Sequence, residues 1–362
     1  MGIIQTLFQG RKTRRFAAWQ IELTTRCPLR CTMCIKEEYK DWHRKNMDID
    51  DFKKIVPYMK DVESIVLEGW GESLLHKDLI ECVHLAKKEG VQVGFVTSGM
   101  GLTDEYTAKL VSAGVDFIGF SLSGATPETH NSIRVNSDFD TLINSIKLLK
   151  KLSGKSVPPN KPGIHIVYLM LKENIHELPV LIDLAKEVGV EEIILLNIIQ
   201  ISNSCQDDKK VFTCENREPY RGLIKAVLDK AKQANIKLAI PNLSTGEVSI
   251  CSENPLKNLY ISVEGEVSPC VYLCPPVASP FKRVFCGQEY NIDKVRFGNI
   301  FREPFESIWN RTEYADFRDR FIQRQQKFKE TYQLFLEIKK PEKPDTLLPP
   351  LPCRTCYKML GL

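Results

Sequence analysis

Three thiols lie within eight consecutive residues, Cys27-Pro28-Leu29-Arg30-Cys31-Thr32-Met33-Cys34. A loop of that length can wrap one metal centre and turn all three sulfurs inward. Spacing of i, i+4 and i+7 also marks one face of a helix, where the cysteines would be buried apolar side chains. The flanks oppose the helix reading, because Thr24, Thr25, Arg26, Lys36, Glu37 and Glu38 are polar where a core stripe would continue. A structural zinc site wants four ligands, and no His or Cys stands near enough in sequence to complete this one. Three thiolates on a four-iron cluster leave one iron open to a small molecule.

A second group of cysteines follows residue 250: Cys251, Cys270, Cys274, Cys286, Cys353 and Cys356, the last two as a Cys-x2-Cys pair. By spacing alone, four of them suit an iron-sulfur cluster or a zinc tetrahedron equally. Cys205 and Cys214 lie in or beside a polar stretch, 202–218, that reads as a boundary loop; without a partner spacing they are expected to be free thiols. The N-terminus lacks the apolar core and cleavage site of a secretory signal, so metal or thiolate chemistry is expected of the cysteines rather than disulfides. The same absence, with no apolar run near the roughly 18 residues of a membrane helix, leads to an expected cytoplasmic location without membrane contact. A formal charge of +4, 27% charged and 43% hydrophobic residues describe an ordinary globular chain rather than a nucleic-acid polycation.

The elements that must position the first thiols can be read from apolar runs and cap residues. Strands are expected at 18–23, 65–68, 91–97, 115–121, 164–171 and 192–197, alternating with helices. Asp48 with Asp51 should open the first helix, Thr103 a later one, Thr126 with Pro127 another, Ser137 with Asp140 that over 139–152, and Asn174 with Glu177 that ending at Val188. Six strands alternating with helices argue for a parallel sheet curled into part of a barrel, with chemistry at the strands' C-terminal ends. A helix at 220–235 and a strand at 237–240 follow. Residues 259–267 read as a hairpin turning at Glu264-Gly265, and 314–340 as a charged helix with Phe317, Phe321, Phe328 and Phe335 as a packing stripe. Pro341 to Pro352 should return the chain in extended form to Cys353. Arg11, Lys12, Arg14 and Arg15 read as a solvated basic segment. At about 150 residues per domain the length suggests two domains.

Cys27-x3-Cys31-x2-Cys34 after a first strand resembles the signature of the radical S-adenosylmethionine (SAM) enzymes, whose fold is a partial (β/α)6 barrel. Gly69-Trp70-Gly71-Glu72 after the second strand resembles that family's Gly-Gly-Glu segment, with Trp70 for one glycine and Ser73 where proline is common. Thr97-Ser98-Gly99 and Ser121-Leu122-Ser123-Gly124 resemble further cofactor-contacting segments. By the resemblance Gly69, Gly71, Glu72, Thr97, Ser121 and Ser123 contact SAM. Arg134 becomes a partner for the SAM carboxylate, a bidentate task that suits a guanidinium, whereas His130 reads as structural.

Cys251, the hairpin, Cys270, Phe297-Gly298-Asn299-Ile300, Glu306-Ser307-Ile308-Trp309 and Cys353-x2-Cys356 resemble the SPASM/twitch extensions of the same family. The implied organisation is an N-terminal extension at 1–17, the barrel at 18–240 and a small α+β cysteine-rich auxiliary domain at 241–362. The implied cofactors are a 4Fe-4S cluster on Cys27, Cys31 and Cys34, SAM, and one auxiliary 4Fe-4S cluster on Cys251, Cys270, Cys353 and Cys356. Cys274 and Cys286 remain open, as alternative ligands or bystanders. The resemblance implies reductive cleavage of SAM to a 5′-deoxyadenosyl radical that takes hydrogen from a peptide, protein or small molecule, with a reductant such as flavodoxin or ferredoxin. Only about 17 residues precede the first strand, which weighs against a leader-peptide-binding segment there. An iron-sulfur or zinc protein without SAM turnover is the competing reading.

Overall fold

The six apolar runs form six parallel strands in chain order: β1 (Phe16–Ile21), β2 (Val62–Val66), β3 (Gln92–Thr97), β4 (Phe117–Leu122), β5 (Gly163–Met170) and β6 (Glu192–Asn197). The helices between them are α1 (Ile49–Ile55), α2 (Leu79–Lys88), α3 (Asp104–Ser112), α4 (Pro127–Ile133), α5 (Phe139–Ser153) and α6 (Leu178–Val188). A computed structural model describes residues 14–154, 161–215, 219–338 and 347–362, with the backbone alone for 332–338. Arg11, Lys12, the Phe335 side chain and the first half of the proline-rich return, 341–346, therefore lie outside the described residues. Leu110, Leu142, Ile146, Leu181 and Ile182 on the helices cover Trp19, Ile65, Phe95, Ile118, Ile166 and Ile193 on the strands in one continuous core.

Three expected caps are present: Asp48 Oδ1 accepts from Asp50 N, Thr103 Oγ1 from Tyr106 N, and Thr126 Oγ1 from Thr129 N. Two are corrected. At α5 the cap is Asp138, whose carboxylate accepts from Thr141 N at 2.7 Å, while Ser137 Oγ meets His130 Nε2 instead. At α6 a 3-10 turn, Ile175–Glu177, comes first, and neither expected residue caps the helix. Asn174 donates to Ser123 O and Leu169 O and accepts from Leu171 N. Glu177 reaches across to the start of α4, accepting from Ala125 N at 2.6 Å and from the Thr126 and Thr129 hydroxyls. Both side chains thus brace the turn after β4.

The boundary stretch holds a short helix, α7 (Ser204–Asp208), capped by Asn203, and α8 (Arg221–Gln233) and β7 (Lys237–Ala239) follow, with β7 parallel to β6. The expected hairpin is β8 (Asn258–Ile261) and β9 (Val267–Ser268), with Gly265 at φ +80° in its turn, but it does not stand alone. β8 lies parallel to β1, so the sheet has nine strands in the order β9-β8-β1-β2-β3-β4-β5-β6-β7. Beyond it come an antiparallel pair, β10 (Phe281–Phe285) and β11 (Gln288–Ile292), then α9 (Phe305–Trp309) and α10 (Thr312–Ile338). Phe305 and Trp309 pack edge-on against Phe16 of β1, and Tyr314 stacks on Phe297 at 4.1 Å.

The expectation that Cys214 is free is overturned: it forms a disulfide with Cys286, 72 residues away, while Cys205 is free and exposed. The β10–β11 turn holds Cys286 at φ +50° and brings it against the chain after α7. Nothing local in the sequence announces that pairing.

Glu177→Ala should leave Ala125 N and two threonine hydroxyls unpaired in a buried turn, lowering unfolding free energy by about 2 kcal/mol. Urea unfolding followed by circular dichroism measures this, and an unchanged midpoint would show that the brace is dispensable.

Candidate active site

Cys27, Cys31 and Cys34 occupy the loop leaving β1 and gather in one apolar cluster with Leu29, Met33 and Ile133. The loop is held from three sides. Arg30 and Cys31 pair antiparallel with Val135 and Arg134, and Thr32 N donates to Ile133 O. Trp42 Nε1 donates to Thr25 O, and Glu72 N to Arg26 O. The buried Lys36 ammonium donates back to Cys27 O and Leu29 O. Burial pushes the Cys27 thiol up to about 11 and Cys34 to about 12, so these sulfurs carry no charge until a cation arrives to favour the thiolate.

The glycine loop after β2 lies directly on that cysteine loop. A Cβ on Gly71 would sit 2.2 Å from Thr24 O and 2.8 Å from Arg26 O, and one on Gly69 would sit 2.5 Å from the Glu22 side chain. Both positions therefore require glycine for close approach. Glu72 is buried and accepts from Thr97 Oγ1, Ser98 N and Ser98 Oγ at 2.7–2.8 Å and from Leu74 N at 3.2 Å. Its oxygens fasten the loops after β2 and β3, and an amino group reaching Glu72 has to displace one of these donors. Ser121 lies in β4, and Ser123 follows it, fully buried. Ser123 Oγ accepts from Arg134 Nε at 2.9 Å, and His130 is buried with Nδ1 accepting from Ser123 N. Contacts thus tie Gly69, Gly71, Glu72 and Thr97 to the chain entering the cysteine loop and Ser123 and Arg134 to Cys31, while Ser121 lies one residue before the end of β4.

The second thiol set assembles from three separate segments. Cys251 precedes β8, Cys270 follows β9, and Cys353 and Cys356 come from the C-terminal turn. Burial first and then the neighbouring thiols, Cys356 among them, raise the thiols of Cys251, Cys270 and Cys353, with Cys251 reaching about 12, so the four stand close together. Two fully buried arginines tie the segments together. Arg283 donates to Tyr272 O and Pro352 O, and Arg324 to Val248 O, Ser249 O and Leu347 O. Cys274 stands apart, its thiol 3.6 Å from Glu266 in a small cluster with Tyr260 and Val271. With Cys286 in a disulfide, four free thiols remain for this site. Among the described residues no three His, Cys, Asp or Glu side chains converge on one metal-ion position. The free thiols, buried at Cys31 and Cys353 and half-buried at the others, and the glycine cradle fit a larger polynuclear centre with a small ligand beside the first set.

Sequence reasoning missed Glu22 and Glu68. Glu22, at the end of β1, accepts from Trp70 N at 2.7 Å and from Val263 N in the auxiliary hairpin. Burial pushes it up to about 7. Glu68, just before the glycine loop, is pushed up to about 8 by burial and then by Glu72 and Glu253. Acidic residues closing otherwise apolar strands were the available signal for both.

With fold and site in view, similarity to known proteins becomes specific. Residues 21–185 match the radical SAM superfamily, and residues 244–334 match the SPASM iron-sulfur cluster-binding domain. The chain belongs to the radical SAM superfamily and carries an SPASM domain, and it is an enzyme that uses SAM and iron-sulfur clusters. It is 27% identical over 302 residues to the tungsten-containing aldehyde ferredoxin oxidoreductase cofactor-modifying protein of Pyrococcus furiosus, covering 82% of each chain. Its fold matches SuiB of Streptococcus suis bound to S-adenosylmethionine with a TM-score of 0.64 at 16% identity, over 84% of this chain and 68% of that one. It also matches native anSMEcpe bound to AdoMet and the Cp18Cys peptide, at a TM-score of 0.58 and 16% identity, over 84% of this chain and 83% of that one. No described helix is long and apolar enough to cross a membrane.

The folded protein retains the Glu22 proton between pH 4.5, where the unfolded carboxyl releases it, and about 7. The folded state thus binds more protons in this window, and stability falls as pH rises through it. Glu22→Gln should flatten that slope, read from urea midpoints at about pH 5 and about pH 8; an unchanged slope would mean another group sets it.

Proposed function

We propose that Cys27, Cys31 and Cys34 hold the cluster that binds SAM, and that Gly69, Gly71, Glu72, Thr97, Ser121, Ser123 and Arg134 form the SAM-contacting surface. Cys251, Cys270, Cys353 and Cys356 then hold one auxiliary four-iron cluster. The observation carrying this reading is the sorting of the free thiols: three meet in one loop at the strand ends, and four meet where separate segments are tied by Arg283 and Arg324. The corresponding division is an extension at 1–17, a barrel at 18–240 and an auxiliary region at 241–362.

When bound, the reduced cluster and SAM supply a 5′-deoxyadenosyl radical that abstracts hydrogen from the substrate. The chain's own part is positional. The glycines let backbone approach the ligand closely, Glu72 holds two of the loops in register, and the Arg134 terminal amino groups have no protein partner among the described residues. Those groups suit a carboxylate. The substrate is a peptide, a protein side chain or a small molecule; the relative that modifies a cofactor and the fold neighbour with a bound peptide support both classes. A flavodoxin or ferredoxin is the proposed electron donor, and the cytoplasm the proposed location.

Anaerobically reconstituted protein should contain about eight irons, from two four-iron centres. Replacing Cys27, Cys31 and Cys34 with Ala should halve the iron and abolish 5′-deoxyadenosine formation under reductant. Replacing Cys353 and Cys356 should also halve the iron, yet leave some SAM cleavage. A triple variant that holds zinc and no iron would overturn the auxiliary cluster, and 5′-deoxyadenosine from that variant would overturn the first site.

A further inference from the structure

Between the glycine loop and the auxiliary thiols lies a cavity of about 150 Å³, comparable to one that holds benzene. Its barrel wall includes Glu68, Gly69, Trp70 and Asn197. The opposite wall comes from residues adjoining the auxiliary cysteines: Tyr272 two after Cys270, Glu253 two after Cys251, and Lys358 two after Cys356. A ligand here therefore sits between the radical source and the auxiliary centre, and the inference rests on that reading of both sites.

The charges lining the cavity are unbalanced. Lys358 Nζ is 3.4 Å from Glu253, and both side chains are largely buried, so this pair is internally compensated. Glu68 has no hydrogen-bond donor and no ion-pair partner among the described residues; its electrostatic neighbours, Glu72 and Glu253, are both acidic. A buried carboxyl left without a partner is unfavourable in its charged form, and a cation beside it reverses that balance. Two further polar atoms are buried without partners: Asn197 Oδ1, an acceptor, and Trp70 Nε1. The aromatic rings of Trp70 and Tyr272 at the cavity add surfaces that attract cations. An anionic substrate group would instead meet Glu68, while Lys358, the cation in the lining, is already paired with Glu253.

We propose that this cavity receives a cationic nitrogen of the substrate, an ammonium or guanidinium group, with Glu68 as its counter-charge and Asn197 Oδ1 as a second acceptor. A lysine or arginine side chain of a peptide and the amine of a small molecule present the same chemistry.

The test uses reconstituted holoenzyme with SAM and no reductant, and binding is read by calorimetry. One arm compares n-butylammonium with 1-butanol; the other compares Nα-acetyl-lysine methylamide with Nα-acetyl-norleucine methylamide. In at least one arm the cation should bind about tenfold or more tighter than its neutral match, as expected for a charge-assisted bond in a buried site. Glu68→Gln, checked for wild-type iron content, should reduce that ratio to near one. A preference confined to the first arm assigns a small amine, and one confined to the second assigns a peptide side chain. Equal binding of cation and neutral match by the wild type in both arms overturns the proposal, and that comparison stands even if the variant takes up no iron. A preference that persists in Glu68→Gln overturns the role of Glu68. The wild type is separately assayed with reductant for 5′-deoxyadenosine; its absence would count against the first site without altering the binding ratio.

Discussion

Glu22 is the carboxylate on which the geometry of both sites depends. It closes β1 just before the cysteine loop, and its oxygens accept from Trp70 N of the glycine loop and Val263 N of the auxiliary hairpin. Three segments distant in sequence are thus fixed around one buried group. Gly69 exists to let that happen, since a Cβ there would enter the Glu22 side chain. A buried carboxyl is unfavourable unless its hydrogen bonds are made, so the junction holds the three segments together or is strained throughout.

The thiols carry a second constraint of the same kind. Burial raises the Cys27, Cys34, Cys251, Cys270 and Cys353 thiols, and within the auxiliary set neighbouring thiolates raise Cys251, Cys270 and Cys353 further. Apolar packing alone would tolerate neutral cysteines there, as it does Cys82 on α2. What separates the auxiliary set from such a core cysteine is its frame: Arg283 and Arg324 supply two buried positive charges that offset part of the rise of the Cys353 thiol, which burial and the Cys251 and Cys356 thiols still hold well above its ordinary value, while bonding the segments that carry it. Positive charge beside grouped thiols favours thiolates, the form in which cysteine binds metal.

The first thiol set was legible because its chemistry is local: three cysteines in one loop need no tertiary contact to be recognised. The barrel strands were legible for a similar reason, since each apolar run fixes its own element. The misread features all depend on partners far along the chain. Glu177 looked like a cap for the helix beside it, yet its carboxylate serves α4, 48–52 residues earlier. Ser137 lost its capping role to Asp138 because His130 claims its hydroxyl. The Cys214–Cys286 disulfide and the pairing of β8 with β1 also arise only after the chain has folded back.

The β1–β8 pairing is what makes two modules into one site. Its register sets Ile21 beside Ile261, from which one strand runs on to Glu22 and Cys27 and the other to Val263, β9 and Cys270. Side chains alternate across a strand, so a slip of one residue would turn every β8 side chain to the opposite face. Leu259 and Ile261 would leave the core they share with Trp19 and Ile21, and Val263 would move away from Glu22. The hydrophobic core therefore fixes the register, and the register fixes how far Cys270 stands from Cys27. The cavity has a defined size because Gly69 and Trp70 on one wall follow β2 and Tyr272 on the other follows β9, the two strands that flank this pair in the sheet. An auxiliary module tethered by a flexible linker would offer no such fixed gap, and enclosing a reactive radical away from water requires one.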